Sequence, residues 1–176
     1  SAGEFLRMDR VWEVELELTP ADWQAMEPPR PEAFRGPNPE AAATRPPPEL
    51  DRPEAFRRPP GGMPPGGFEF PWVTGRVTMA GVVFTNVGVR FKGNSSFNGS
   101  RGSFKRPFKL DFDRHVPGRT FAGLEELFLN NNANDPSQLR ESLAYSAFAK
   151  AGVPAPRTTG LKVWLRLGDA EPRRYL

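Results

Sequence analysis

The sequence predicts an α+β fold, in which an antiparallel β-sheet carries one long helix. Several short runs alternate between apolar and polar residues, a period of two that is typical of half-buried strands with one charged face. Short connections join neighbouring runs, which favours antiparallel pairing. One stretch, residues 136–151, has helical spacing over several turns together with clear start and stop signals.

The composition excludes several classes of protein and site. The 176 residues suffice for one ordinary domain and an appendage. The net charge of +3 is too small to indicate a nucleic-acid partner, and no apolar run is long enough to predict a transmembrane segment. There is no cysteine and His115 is the single histidine, which argues against thiol catalysis, a histidine metal centre or a Ser-His triad. The absence of cysteine fits an extracytoplasmic protein, secreted or on a surface, but it fits many other proteins as well.

Residues 1–27 are predicted to form the first strand and a short helix. Over Val11–Leu18, valine and leucine alternate with glutamate, as in a strand with one charged face. Thr19 then suits the N-cap of a helix, and Pro20 suits its first position. We expect Trp23 to fold this helix back onto the core.

Residues 28–67 differ in composition from the rest of the chain. They hold 13 of the 21 prolines, and the string RPEAFR occurs twice, at 30–35 and 52–57. Proline removes a backbone donor and favours extended conformations, so we expect an exposed, poorly ordered insertion. The repeat is either a docking motif or duplicated low-complexity sequence, and the composition favours the second reading.

Residues 68–176 are predicted to hold most of the sheet and the long helix. Alternating or continuous apolar runs predict strands at 70–79, 82–91, 104–113, 127–131 and 161–167. For the long helix, Asp135 suits the N-cap, Pro136 the first turn and Gln138 the capping-box position. Its predicted apolar stripe consists of Leu139, Leu143, Ala147 and Ala151, with Phe148 beside them. Because the sequence stops just after a turn, we expect a domain that is truncated at its C-terminus.

A polar, glycine-rich loop joins the strands at 82–91 and 104–113. Its first residues are Gly93, Asn94, Ser95 and Ser96, and the basic residues around it are Lys92, Arg101, Lys105, Arg106 and Lys109. Glycine lets backbone N–H groups approach an anion closely, so the loop is a candidate phosphate site. The alternative is an ordinary long hairpin connection, since the loop matches neither standard glycine-rich nucleotide motif.

Four strings occur in a specific order: VGVRFKGNSSF, KRPFKLDFD, LNNNANDPSQLRESLAYSAF and GVPAPRT. Together they resemble the CotH family, atypical protein kinases of the spore-coat-protein-H type. Judged by these motifs, the resemblance covers roughly residues 70–167. The segment 11–23 is also similar to the beginning of the family's sequences. It implies the small lobe of a protein-kinase-like fold, with ATP and Mg²⁺ or Mn²⁺ bound between two lobes. A larger lobe, absent here, would supply the catalytic aspartate and the metal ligands.

The resemblance also implies a strand lysine that neutralises phosphate charge and a helix glutamate that fixes this lysine by an ion pair. Lys109 is our candidate lysine, because it lies mid-strand on the polar face, and Lys92 at the entrance of the loop is the alternative. Glu141 is the candidate partner. The candidate ATP-binding residues are Gly93, Asn94, Ser95, Ser96, Lys92 and Arg106. The asparagines at 130–134 either line the cleft or satisfy backbone groups before the helix, and we favour the second role.

The protein implied by the resemblance transfers the γ-phosphoryl group of ATP to serine or threonine of secreted or surface proteins. The present segment alone is expected to be inactive, because it lacks a hydroxyl-orienting acid and metal ligands. Two other functions stay open. One is a non-catalytic surface or adhesion module; the other is a polyanion binder that uses Arg101, Lys105, Arg106 and Lys109, and the low net charge makes it the weaker of the two.

Overall fold

Seven strands form one mixed sheet in a computed structural model of the chain, which describes residues 1–28, 70–100, 105–132 and 135–174. One compact unit comprises Ser1–Glu27 and Phe70–Leu176. The insertion predicted at 28–67 lies outside the described residues, apart from Pro28. In chain order the elements are α1 (Ala2–Phe5), β1 (Val11–Leu18), α2 (Pro20–Ala25), β2 (Val73–Met79), β3 (Val82–Phe91), α3 (Asn94–Gly99), β4 (Phe108–Asp111), β5 (Glu126–Leu129), α4 (Arg140–Lys150), β6 (Gly160–Leu167) and β7 (Arg173–Arg174).

The strands lie side by side in the order β5-β4-β3-β2-β1-β6-β7. Neighbours run antiparallel except β1 and β6, which pair in parallel from Val11 opposite Gly160 to Leu18 opposite Leu167. The chain reaches β6 through α4, and such a crossover allows parallel pairing, whereas a short hairpin does not. The wholly antiparallel sheet predicted from the sequence is therefore wrong at this pair.

The alternation of apolar and polar residues predicted most of the strands, and for two of them it predicted both ends correctly. β1 and β3 have the predicted ends, whereas β4 and β5 are shorter than predicted, and the two-residue β7 was not predicted. The short helix α2 begins as predicted, because Oγ1 of Thr19 accepts the backbone N–H of Asp22 over 3.0 Å. In the described part of the chain, no helix has the length and apolar character needed to cross a membrane.

One face of the sheet carries the hydrophobic core, and the short helices cover it. Phe91 at the end of β3 is fully buried, and Trp23 of α2 packs edge-on against its ring with 5.2 Å between the ring centres. Phe97 of α3 and Phe108 of β4 each lie 5.4 Å from the same ring. The prediction that Trp23 folds α2 back onto the core is confirmed.

The long helix α4 begins at Arg140, four residues later than predicted. Gln138 has a φ of +59°, a left-handed conformation that cannot continue a helix, and Leu139 takes the N-cap position. Asp135 still serves the helix start from a distance, because its carboxylate accepts the N–H of Arg140 over 2.8 Å. The capping signature therefore marks a turn, but this turn precedes the helix and is not the first turn of the helix.

The apolar stripe predicted on α4 is not buried. No residue of this helix is buried, and the side chains of Leu143 and Phe148 are 58% and 50% exposed. The contacts of α4 include the hydrogen bond between Asn130 and Glu141 that is described below. Helical spacing thus identified the helix correctly but not the face that it turns to the protein.

Candidate functional site

A cavity of about 410 Å³ lies where β3 and β5 end and α4 begins. Lys92 directly follows β3, Asn130 directly follows β5, and Glu141 is the second residue of α4. The described residues that line the cavity are Lys92, Ser96, Asn130, Asn131, Asn132, Asp135, Arg140 and Glu141. Three elements therefore bring together polar side chains that are far apart in the sequence.

Hydrogen bonds join four side chains at this cavity. The ammonium group of Lys92 donates to Oδ1 of Asn130, and Nδ2 of Asn130 donates to Oε2 of Glu141 over 2.7 Å. The hydroxyl of Tyr145, one turn further along α4, donates to Oε1 of Glu141 over 3.1 Å. We refer to Lys92, Asn130, Glu141 and Tyr145 as the lysine cluster.

Burial and charge act in opposite directions on the ammonium group of Lys92. Its removal from water lowers the pKa of Lys92 below the usual value, and the charge of Glu141 offsets part of this effect. The pKa of Tyr145 is raised, because its hydroxyl proton is held by Glu141. Lys92 is therefore a cation held partly out of water, where an anion in the cavity would be attracted more strongly than at an open surface.

Asp135 organises the chain between β5 and α4. Its carboxylate accepts hydrogen bonds from the Ser137 hydroxyl and from the backbone N–H groups of Arg140 and Ser137, and these bonds lower the pKa of Asp135. The Arg140 Nε atom lies 3.5 Å from Oδ1 of Asp135, and the Arg140 side chain is largely exposed. Asp135 thus fixes the backbone, while Arg140 adds a solvated positive charge to the lining of the cavity.

Lys109 does not reach Glu141. Its ammonium group pairs with Glu126 of β5, with 2.7 Å between Nζ and Oε1, and it lies 5.3 Å from the centre of the Phe128 ring. The register of β4 and β5 places Lys109 directly opposite Phe128, which keeps the side chain over the sheet. The predicted pairing of Lys109 with Glu141 is therefore wrong, and Lys92, the alternative, approaches Glu141 through Asn130.

Arg106, a candidate phosphate ligand, does not belong to the lining of the cavity. Its Nη2 atom lies 3.2 Å from Oε1 of Glu27, and its guanidinium group stacks over the ring of Phe97, 4.4 Å from the ring centre. Both contacts fix α2 and α3 on the core. These contacts give Arg106 a packing role, and its role as a phosphate ligand stays a prediction.

The described part of the glycine-rich loop, which ends at residue 100, contains a short helix. Its first half forms α3, whose start is marked by the N–H of Phe97 donating to the carbonyl of Gly93 over 3.0 Å. Phe97 is buried, which anchors this half of the loop in the core. Ser96 lines the cavity, whereas Gly93, Asn94 and Ser95 do not.

The asparagines after β5 divide between two roles. Asn131 donates to the backbone carbonyl of Lys105 over 2.6 Å, and Asn132 has a φ of +47° with its carbonyl accepting the N–H of Asp135. These two have the favoured backbone-satisfying role and also line the cavity, while Asn134 lies outside the described residues. Asn130 departs from it, because its side chain bridges Lys92 and Glu141.

Sequence reasoning missed Tyr145 altogether. Its spacing of four residues from Glu141 places both side chains on the same face of a helix, and this spacing is the signal that could have identified it. The sequence predicts only a helix cap for Asp135 and no site role for Arg140. Their place in the cavity depends on the turn before α4, which the capping signature alone does not describe.

Gly93→Ala is expected to destabilise the protein more than Gly118→Ala does. Both glycines have positive φ, +73° and +77°, so an alanine at either position costs about 1–2 kcal/mol. A Cβ at Gly93 would also collide with Oγ of Ser96, whereas nothing lies within 4 Å of a Cβ at Gly118. Urea denaturation of the two variants measures the difference, and equal losses would show that Ser96 moves away without cost.

Comparison with known proteins identifies a family that is similar to part of this chain. The family model described as CotH kinase protein matches residues 89–166, a little under half of the chain, and no curated protein matches it. The matched segment runs from β3 into β6 and contains the whole lysine cluster. It also contains Ser96, Asp135 and Arg140, the other charged and hydroxyl groups of the cavity. The resemblance found in the four sequence motifs is thereby confirmed over residues 89–166, which are similar to the CotH family.

Proposed function

We propose that this chain carries the ATP phosphate-binding region of a CotH-like protein kinase, with the cavity beside Lys92 as the site. The observation that carries the proposal is the lysine cluster, which holds a partly buried cation at the rim of a polar cavity inside the family segment. Phosphoryl transfer depends mainly on positioning and on neutralising phosphate charge, and both tasks suit such a cation.

The chemistry of the cavity fits a phosphate group. Lys92 and Arg140 supply positive charge, Ser96 supplies a hydroxyl group, and the side-chain amides supply further donors. ATP, when bound, supplies the phosphoryl group that is transferred. Lys92 would neutralise phosphate charge, and Glu141 would keep the ammonium group in place through Asn130.

The same residues do not fit a divalent metal by themselves. Among the described residues, no group of three histidine, cysteine, aspartate or glutamate side chains could hold a metal ion. Asp135 is committed to the turn before α4, and both carboxylate oxygens of Glu141 accept protein hydrogen bonds. These residues therefore do not supply the ligands that Mg²⁺ or Mn²⁺ would need.

Serine or threonine side chains of secreted or surface proteins are the proposed acceptors, and an extracytoplasmic location is proposed with them. Both proposals rest on the similarity of residues 89–166 to the CotH family. The two parts support each other, because a kinase outside the cytoplasm would meet acceptors of that kind.

The test uses the full-length protein with γ-labelled ATP, Mg²⁺ or Mn²⁺, and casein-like acceptors. We expect label on serine or threonine of the acceptor, and binding of ATP in a titration without acceptor. Unlabelled inorganic phosphate at the same concentration serves as the control for non-specific anion binding. If neither transfer nor ATP binding occurs with either metal, the enzyme proposal fails and a non-catalytic surface module becomes the better reading.

A further inference from the structure

Asn130 occupies the position between the two charged members of the lysine cluster. Its amide oxygen accepts from Lys92, and its amide nitrogen donates to Glu141 over 2.7 Å. Lys92 and Glu141 are therefore connected through an amide group. We infer that Asn130 is a positioning residue: by connecting Lys92 to Glu141, it fixes the ammonium group of Lys92 for phosphate binding. We refer to this connection of Lys92, Asn130 and Glu141 as the relay. The inference rests on the function proposed above.

The amide side chain of asparagine makes this connection without adding charge. An ammonium group can only donate and an ionised carboxylate can only accept, so the group between them must do both. The two neighbours also dictate the orientation of the amide, with oxygen towards Lys92 and nitrogen towards Glu141. Aspartate has the same size as asparagine but offers no donor to Glu141, and leucine offers neither donor nor acceptor.

The backbone holds Asn130 rigidly. It follows Leu129, which pairs with Phe108 in the ladder of β4 and β5. The next residue, Asn131, is buried and bonds to the carbonyl of Lys105. The amide of Asn130 therefore projects from a point that is fixed on both sides, as a positioning group requires.

Tyr145 fixes the far end of the relay. Its hydroxyl donates to Oε1 of Glu141 over 3.1 Å, while Asn130 donates to Oε2. With both oxygens engaged, the carboxylate cannot rotate freely towards solvent. The helix thus presents Glu141 in one orientation, and Asn130 passes that restraint to Lys92.

The charged surroundings of Lys92 make the relay measurable. Burial lowers the pKa of Lys92, and the charge of Glu141 opposes this. Asp135 and Arg140 line the same cavity, and Lys109 lies over the same Phe128 ring as Lys92. A change at Asn130 alters the group that accepts directly from the ammonium, so it should move the pKa of Lys92 more than an equal change elsewhere in the cavity.

The test measures the pKa of Lys92 by NMR titration of the full chain with isotope-labelled lysine, in which only five lysines contribute signals. Asn130→Asp should raise the pKa of Lys92, because an anion then accepts from the ammonium group. Asn130→Leu should lower it further, because the charged form loses its acceptor. Asn132→Asp is the matched control: it adds the same charge to the same cavity at a position without a hydrogen bond to Lys92, and it should have the smaller effect.

The outcomes separate the relay from the proposed function. Equal effects of Asn130→Asp and Asn132→Asp would overturn the relay, as would an unchanged pKa in Asn130→Leu. Should Asn130→Leu fail to fold, the two aspartate variants decide the question, because aspartate has the shape of asparagine. In the full-length kinase assay, Asn130→Leu should lose about 10²-fold in transfer, as expected for a misplaced group. If the pKa of Lys92 rises in Asn130→Asp and falls in Asn130→Leu, but the full-length protein binds no ATP, the relay is supported and the kinase proposal is contradicted.

Discussion

Lys92→Ala is expected to reduce phosphoryl transfer by the full-length protein about 10²–10³-fold, the usual cost of removing one charged or donating group from a reaction site. Lys92 lines the cavity, is partly buried and is held by Asn130. The loss should fall on both ATP binding and the rate of transfer, because Lys92 would meet phosphate charge before and during the reaction.

Lys109→Ala is the matched control for this prediction. It removes the same kind of side chain from the neighbouring strand, where Lys109 pairs with Glu126 rather than with the cluster. We expect Lys109→Ala to keep most of the transfer activity, and circular dichroism to show both variants folded. The opposite ranking, with Lys109→Ala inactive and Lys92→Ala active, would move the phosphate-binding role to Lys109 and contradict the assignment given to the cluster.

The choice between the two lysines could not have been made from the sequence. Both follow or lie within strands with alternating residues, and in the structure both ammonium groups lie over the ring of Phe128. What separates them is the register of β4 and β5, which places Glu126 within reach of Lys109. Register depends on pairing between distant segments, and neither strand specifies it alone.

Local signals predicted local structure well. The alternation in Val11–Leu18 and the cap formed by Thr19 were sufficient, because each involves only neighbouring residues. The signals failed where distant parts of the chain decide the outcome. The parallel pairing of β6 with β1 brings Val11 opposite Gly160, which lie near the two ends of the described chain. The start of α4 is a local exception, because the left-handed Gln138 closes a turn just before the helix begins.

The structure gives a further argument against a generic polyanion-binding surface, the weakest of the three functions considered. Of the four basic residues assigned to it, Arg106 is paired with Glu27 and Lys109 with Glu126. Paired charges attract a polyanion less strongly, because the partner's field opposes the approach of another anion.

Phe91→Ala is expected to have the largest effect on stability, a loss of about 3–5 kcal/mol. The ring is fully buried at the centre of an aromatic cluster, in contact with Trp23, Phe97 and Phe108. Removing it leaves a cavity that three rigid aromatic rings cannot fill. For a chain of this size the melting temperature should fall by roughly 6–20 °C, measured by calorimetry or by circular dichroism.

Phe148→Ala provides the control, because its ring is half exposed on α4 and its loss should change stability by no more than about 0.5 kcal/mol. Similar losses in the two variants would contradict the burial assigned to Phe91.

The comparison also bears on the site, since Phe91 directly precedes Lys92 and successive residues of a strand point to opposite faces. The residue that anchors β3 in the core thereby sets the position of the lysine on the other side. At a temperature where Phe91→Ala is still folded, its weaker hold on the strand should appear as weaker ATP binding by the full-length protein, whereas Phe148→Ala should bind ATP as the unmodified protein does.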